Sequence, residues 1–145
     1  HTGIHSFPTR RSSDLAHGSP RAPVWEYLLY ASAARVNFDY FETWLCLVGH
    51  THVPAIFRLD GEGRCHAVVP PEAQRIQLDE QRYILNPGGV GQPRDGDPRA
   101  AYLLLDVEER IIEFRRVAYD FTETQRKMRA AELPPRLSAR LEYGF

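Results

Sequence analysis

The stretch WLCLVGHTHVP, residues 44–54, joins a run of five apolar residues to a turn that carries two histidines. The apolar run is short, continuous and closed by Gly49, a pattern that predicts a strand buried on both faces. In an open α/β sheet, ligands bind in the crevice beyond the carboxyl ends of the strands. His50 and His52 therefore face one crevice, and each offers an imidazole nitrogen to a divalent metal. A His-x-His pair by itself is equally compatible with histidines that have no ligand.

A third histidine strengthens the interpretation as a metal site. His17 stands in the turn HGSP, residues 17–20, and apolar residues at helical spacing over Ala22–Ala34 predict a helix after it. If the residues before His17 form a strand, the segment is a βαβ unit with two parallel strands. Parallel strands end at the same edge of a sheet, so His17 is expected to converge with His50 and His52.

The remaining sequence predicts short strands followed by two helices. The turn sequence DGEG, residues 60–63, separates two β-rich runs and predicts a hairpin. Thr122 and Gln125 match a capping box for a helix that ends near Glu132, and leucines four residues apart predict a closing helix before Gly144. The predicted strands are 55–59, 64–69, 83–85, 101–107 and 110–119.

Composition narrows the class of protein. The chain has 145 residues, of which 43% are hydrophobic and 26% charged, as in one ordinary globular domain. A formal net charge of -1 gives no electrostatic reason to expect a nucleic acid or an anionic membrane as partner. Cys46 and Cys65 lack the spacing of a metal site, which favours reduced thiols and a cytoplasmic location. No apolar stretch reaches the roughly 20 residues of a membrane span.

Three motifs together resemble a known family. HGSP (17–20), GHTHVP (49–54) and NPGGVGQPRDGDPRAAYLLLD (86–106) resemble those of the compact bacterial and archaeal branch of the calcineurin-like metallophosphoesterases. The resemblance covers about residues 16–145 and implies an α/β fold, the C-terminal part of a four-layer αββα sandwich. It also implies hydrolysis of phosphate mono- or diesters at a dinuclear centre of Mn, Fe, Zn or Ni. The equivalents of His17 and His50 bind one of the family's metal ions, and that of His52 binds the other.

The resemblance places a second loop, residues 86–94, beside this centre. Its glycines allow the backbone to approach a ligand closely. Asn86 and Arg94 are the expected substrate contacts, and the planar guanidinium of Arg94 suits a phosphoryl oxygen. The alternative for Arg94 is an exposed turn residue. The following DGDP, residues 95–98, is interpreted as a turn and not as a cation-binding loop.

The N-terminal region departs from the family. The blocks D-x-H, G-D-x-x-D and G-N-H-[DE], which precede the histidines in the family, do not occur in this sequence. In addition, HSFPTRRSSDL, residues 5–15, resembles a translated sequencing adapter, so residues 1–15 are expected to be foreign and residues 16–145 to form the phosphoesterase part. The chain is therefore expected to be a truncated fragment that is inactive alone.

Two other classes of function stay open at this stage. An amidohydrolase-like enzyme would use its own His-x-His pair in a barrel of about 250 residues. A non-catalytic metal-binding or interaction module would need no further ligands. For a phosphoesterase, the sequence does not separate a small phosphate ester from a phosphoprotein as substrate.

Overall fold

The computed structural model describes residues 13–145, which form eight strands in two sheets, three α-helices and one 3₁₀ helix. The strands are β1 (Ser13–Leu15), β2 (Leu45–Leu47), β3 (Ala55–Leu59), β4 (Cys65–Val68), β5 (Arg75–Gln77), β6 (Arg82–Asn86), β7 (Ala100–Asp106) and β8 (Ile111–Val117). The helices are α1 (Ala31–Asn37), the 3₁₀ helix Phe38–Tyr40, α2 (Thr122–Ala130) and α3 (Pro135–Tyr143).

The first sheet has the strand order β1-β2-β6-β3-β4, and the second has the order β5-β8-β7. β1, β2 and β6 run parallel, whereas β3 runs antiparallel to both β6 and β4. The predicted βαβ order is confirmed, because β1 and β2 are adjacent parallel strands joined through α1. The foreign origin of residues 1–15 stays a prediction. Of that segment, Ser13–Leu15 forms β1, and residues 1–12 lie outside the described part.

The core lies on both faces of the first sheet. β2 is buried as predicted, and it alternates between the two faces. Cys46 points toward α1 and the 3₁₀ helix, while Leu45 points toward the second sheet. The cluster on the helical side contains Leu28, Ala34, Phe38, Cys46, Val48, Phe57 and Ile84. The cluster between the sheets contains Leu45, Ile56, Leu78, Tyr83, Leu85, Ile112 and Phe114.

The predicted helix over Ala22–Ala34 is wrong for most of its length. α1 begins only at Ala31, and residues 22–30 form a turn and an irregular loop. The cause is a set of side-chain bonds that the helical spacing does not reveal. The Glu26 carboxylate accepts hydrogen bonds from Ser19, Arg21 and Asn37, and these bonds hold the segment in a non-helical path.

The other predicted elements are confirmed, with three differences. β5 was missed because it has only three residues, two of them polar. The capping box does not form, since the Thr122 amide donates to Asp120 and the Gln125 side chain donates to the Ser138 carbonyl. The turn of the second hairpin is longer than predicted and spans residues 107–110. Between residues 13 and 145, no helix is long and apolar enough to cross a membrane.

Candidate metal centre

Two of the three predicted histidines are in contact at the carboxyl edge of the first sheet. His17 follows β1 and His50 follows β2, and the Gly49 amide donates to the His17 carbonyl at 2.9 Å. The side chains meet as well, because His17 Nε2 lies 2.9 Å from His50 Nδ1. The parallel pairing of β1 with β2 thus brings together residues 33 positions apart in the sequence.

The turn after β2 has an unusual backbone. Both His50 (φ 62°) and His52 (φ 59°) occupy the left-handed region, while Thr51 between them is buried. A side chain with a Cβ costs about 1–2 kcal/mol in this conformation. Such strain persists only where the surroundings fix it, and it clusters at functional sites.

Asn86, at the end of β6, holds this turn in place through hydrogen bonds. It is fully buried, and its side-chain amide donates to the Gly49 carbonyl at 2.9 Å and to Thr51 Oγ1 at 2.8 Å. Its side-chain oxygen accepts from the Gly88 amide at 2.9 Å. Both amide hydrogens are therefore used inside the protein. These hydrogen bonds hold the histidine turn in place, and the substrate contact of Asn86 stays a prediction.

His52 is oriented by the loop of residues 86–94. Its Nδ1 lies 2.6 Å from the Gln92 carbonyl, so Nδ1 carries the proton and Nε2 is the free nitrogen. A histidine that binds a metal has this arrangement as a rule. A Cβ on Gly89 would lie 3.0 Å from the His52 Cβ. Gly89 therefore allows the loop to pack closely against His52.

The charge environment keeps His50 neutral. Burial is the largest cause that lowers the pKa of His50 from its ordinary value, and electrostatic interactions with His17, Arg94 and His52 lower it further. A group with an ordinary pKa of about 6.5 that is lowered in this way is unprotonated at neutral pH. Neutral imidazole is the form that binds a divalent ion.

The two histidines that meet are hydrogen-bonded to each other. His17 Nε2 and His50 Nδ1 are 2.9 Å apart, so one of these nitrogens donates and the other accepts. In the part of the chain that the structure describes, no group of three or more His, Cys, Asp and Glu side chains is arranged to hold a metal. His17 and His50 are the two predicted ligands that the structure brings into contact.

Arg94 lies on the same side of the molecule, close enough for its charge to lower the pKa of His50. Its backbone amide donates to the His52 carbonyl at 3.2 Å, and its Nε is buried with no acceptor among residues 13–145. The neighbouring acidic residues are already paired, Asp95 with Arg116 and Asp97 with Arg99. The DGDP segment therefore serves as a turn.

Sequence reasoning missed two aromatic neighbours of the histidines. The Tyr27 ring centroid lies 4.2 Å from that of His50, and the Trp25 centroid lies 6.4 Å from it. In VWEYLLY, residues 24–30, every residue except Glu26 is apolar or aromatic, so the sequence offered no pattern that separates exposed Trp25 and Tyr27 from buried Leu28.

Comparisons with known proteins agree with the fold. The crystal structure of a metallophosphoesterase from Sphaerobacter thermophilus matches 92% of this chain with a TM-score of 0.86 and 44% sequence identity. The Pyrococcus horikoshii protein PH1004 matches 90% of the chain with a TM-score of 0.61 and 19% identity, which bears on the fold alone. No protein-family model matches the chain.

A relative with no assigned function is similar in sequence. The uncharacterised protein MJ0912 of Methanocaldococcus jannaschii is 37% identical over 132 residues, which is 90% of this chain and 51% of the relative. The chain also spans only 56% of the Sphaerobacter protein, so it corresponds to about half the length of the proteins it matches. Over that half, the chain has a mixed α/β fold and is similar in both sequence and structure to a metallophosphoesterase.

Proposed function

We propose that this chain contributes to a metal-dependent phosphoesterase that hydrolyses phosphate mono- or diesters at a dinuclear centre. The observation that carries the proposal is the 2.9 Å approach of His17 Nε2 to His50 Nδ1 at the edge of the parallel strands. The similarity to the Sphaerobacter metallophosphoesterase supports the same chemistry. The substrate is a small phosphate ester or a phosphoprotein.

The three histidines have distinct roles in this proposal. His17 and His50 would hold one divalent ion (Mn, Fe, Zn or Ni), and Nε2 of His52 would hold the second. The chemistry supplied by such a pair would be activation of a water molecule and polarisation of the phosphoryl group. The histidines do not transfer protons, because Nδ1 of His52 is engaged by the Gln92 carbonyl and the nitrogens of His17 and His50 that face each other are the ligand atoms.

Arg94 is the proposed contact to a phosphoryl oxygen. Its guanidinium stays charged at any physiological pH and presents several donors to an anion. Among residues 13–145, Arg94 Nη2 donates to Gln92 Oε1 at 3.3 Å and Nε has no acceptor, so no carboxylate neutralises this guanidinium. Arg94→Lys keeps the charge but loses the planar fork, so it is expected to weaken binding of inorganic phosphate several-fold.

The test is binding of Zn²⁺ to the 145-residue chain, measured by titration calorimetry. His50→Ala is expected to reduce the affinity for Zn²⁺ at least tenfold, because it removes one of the two histidines that meet at the edge of the sheet. His66→Ala is the matched control, since His66 lies on β4 beside Asp60 and is expected to leave Zn²⁺ affinity unchanged. Equal Zn²⁺ affinity of His50→Ala and the unaltered chain would contradict the proposal.

A non-catalytic metal-binding or interaction module is the second candidate, because His17 and His50 meet without a carboxylate grouped with them between residues 13 and 145. We expect the 145-residue chain alone to show no turnover, which fits both candidates. A fusion to the part of the Methanocaldococcus protein that this chain does not match separates them. Turnover of an aryl phosphate by that fusion, lost in His52→Ala, supports the phosphoesterase. Metal binding without turnover in the fusion supports the module.

A further inference from the structure

An exposed apolar segment borders the histidines. We call residues 24–30, VWEYLLY, the aromatic loop. Five of its seven side chains are apolar and exposed, in contrast to the buried apolar residues of the neighbouring strands. The exposed fractions are 53% for Val24, 79% for Trp25, 47% for Tyr27, 46% for Leu29 and 71% for Tyr30.

The other two side chains of the aromatic loop hold it in place. Leu28 is 1% exposed and belongs to the cluster under α1. The carboxylate of Glu26 accepts hydrogen bonds from Ser19 and from Asn37, the latter at 3.0 Å. Residues 26 and 28 are anchored on one side, so the backbone that carries Trp25 and Tyr27 is already ordered. A ligand that binds these two side chains therefore loses little free energy to ordering the loop.

The aromatic loop is also tied to the candidate centre. A Cβ on Gly18, the residue after His17, would lie 2.9 Å from the Ala22 carbonyl oxygen and 3.0 Å from that of Glu26. The loop backbone therefore rests directly on the His17 turn. On the outer side, the Tyr27 ring lies against His50 and the Trp25 ring lies next to it, with centroids 4.2 and 6.4 Å from His50.

We propose that the aromatic loop is the subsite for a flat aromatic group of the phosphate ester, which stacks on Trp25 while the phosphoryl group lies at the histidines. This inference rests on the proposed function. The loop's one carboxylate, Glu26, is already bonded to Ser19, Arg21 and Asn37, so the outer surface recognises its ligand by ring stacking and apolar contact. A planar ring gains more from a tryptophan face than an alkyl group of similar size does. The ring is supplied either by a simple aryl ester or by a nucleobase.

The experiment uses tryptophan fluorescence, because the chain contains only Trp25 and Trp44. Trp44→Phe leaves Trp25 as the sole reporter. The Zn²⁺-loaded variant is titrated with inorganic phosphate, methyl phosphate, phenyl phosphate and adenosine monophosphate. Phenyl phosphate or adenosine monophosphate is expected to bind about three- to tenfold more tightly than methyl phosphate and to change Trp25 emission. The tighter of the two identifies the aryl or the nucleoside source.

Trp25→Ala, made in the chain that retains Trp44 and measured by calorimetry, is expected to remove this preference and to leave the Kd for inorganic phosphate unchanged. Trp25 is mostly exposed, so the variant is expected to keep the parent Tm. Equal binding of the aromatic and methyl esters would overturn the inference and leave the proposed function standing. Tighter binding of a phosphoserine peptide than of either aromatic ester would overturn it in favour of a protein substrate. No binding of inorganic phosphate would overturn the proposed function and this inference with it.

Discussion

At the scale of single residues, the strained histidine turn is the feature with the clearest physical consequence. His50 and His52 both hold positive φ angles, although neither is glycine. Asn86, through Gly49 and Thr51, and the Gln92 carbonyl on His52 keep the turn in this conformation. The turn therefore stores conformational free energy at the point where the His50 side chain meets His17.

This strain predicts a difference between two variants of one residue. His52→Ala and His52→Gly both lose the imidazole and its bond to Gln92, but only glycine relaxes a φ of 59°. The glycine variant is expected to be more stable than the alanine variant by about 1 kcal/mol. Urea unfolding of both variants measures the difference. An alanine variant as stable as the glycine variant would show that the turn is not strained.

Glu26 makes a second prediction at this scale, about pH. Burial opposes the ionisation of Glu26, but hydrogen bonds from Arg21, Ser19 and Asn37 outweigh burial and lower its pKa to about 2. In the unfolded chain a glutamate titrates near pH 4.3. The stabilisation from ionised Glu26 is therefore fully present above about pH 4.3 and is lost as the pH falls toward 2.

The comparison of the unaltered chain with Glu26→Gln isolates this contribution. The variant is expected to be less stable at pH 6, and the difference in free energy of unfolding is expected to shrink steadily from pH 5 to pH 3. Thermal unfolding at a series of pH values measures the difference. A gap that stays constant over this range would contradict the assigned role of the Glu26 carboxylate.

At the scale of elements, the loop between β6 and β7 shows why particular glycines are required. Gly88 has a φ of +92°, and a Cβ there would lie 2.7 Å from the Ala101 Cβ and 2.8 Å from Pro54 Cγ. Gly91, three residues later in the same loop, has open space around it. Gly88 lets the loop pack on β7 and on Pro54, the residue before β3. Gly91 makes no close contact of this kind.

These two glycines form a matched pair. Gly88→Ala is expected to destabilise the fold by about 2 kcal/mol or more, since it combines a strained φ with overpacking. Gly91→Ala is expected to change the free energy of unfolding by no more than about 0.5 kcal/mol. Urea unfolding of both variants tests the pair, and similar destabilisation by the two substitutions would contradict the packing described for Gly88.

At the scale of the whole molecule, the first sheet is the central layer. It is covered by α1 on one face and by the second sheet on the other, through two separate clusters of buried side chains. The outer face of the second sheet is different in character, because Tyr102, Leu104 and Val117 remain 37%, 49% and 52% exposed. Most of the stability of the described residues therefore comes from the two interfaces of the first sheet.

A pair of leucines tests whether the interfaces of the first sheet contribute more stability than the outer face of the second sheet. Leu85 on β6 is fully buried between the sheets, whereas Leu104 on β7 is half exposed. Leu85→Ala is expected to cost about 2–5 kcal/mol through lost burial and a cavity, and Leu104→Ala about 1 kcal/mol or less. Thermal unfolding of the two variants gives the comparison. If Leu104→Ala proved the more damaging change, the outer face would have to be part of a core.

The sequence by itself determined the features that depend on near neighbours in the chain. The buried strand at residues 44–48 and the two hairpins follow from apolar runs and turn residues a few positions apart. In the first hairpin, Asp60 accepts hydrogen bonds from the amides of Glu62 and Arg64, so the turn is made by the residues that predict it. The contact of His17 with His50 also followed, because parallel strands end at a common edge.

Only the tertiary structure decided the path of residues 22–30, the role of Asn86 and the aromatic neighbours of His50. In each case the partner lies far along the chain: Asn37 is 11 residues from Glu26, and Thr51 is 35 residues from Asn86. The apolar pattern of a short segment does not predict a hydrogen bond to a residue far along the chain. A buried amide or carboxylate must satisfy its hydrogen bonds wherever the fold brings a partner. That requirement overrode the helical spacing of residues 22–30 and tied Asn86 to the histidine turn.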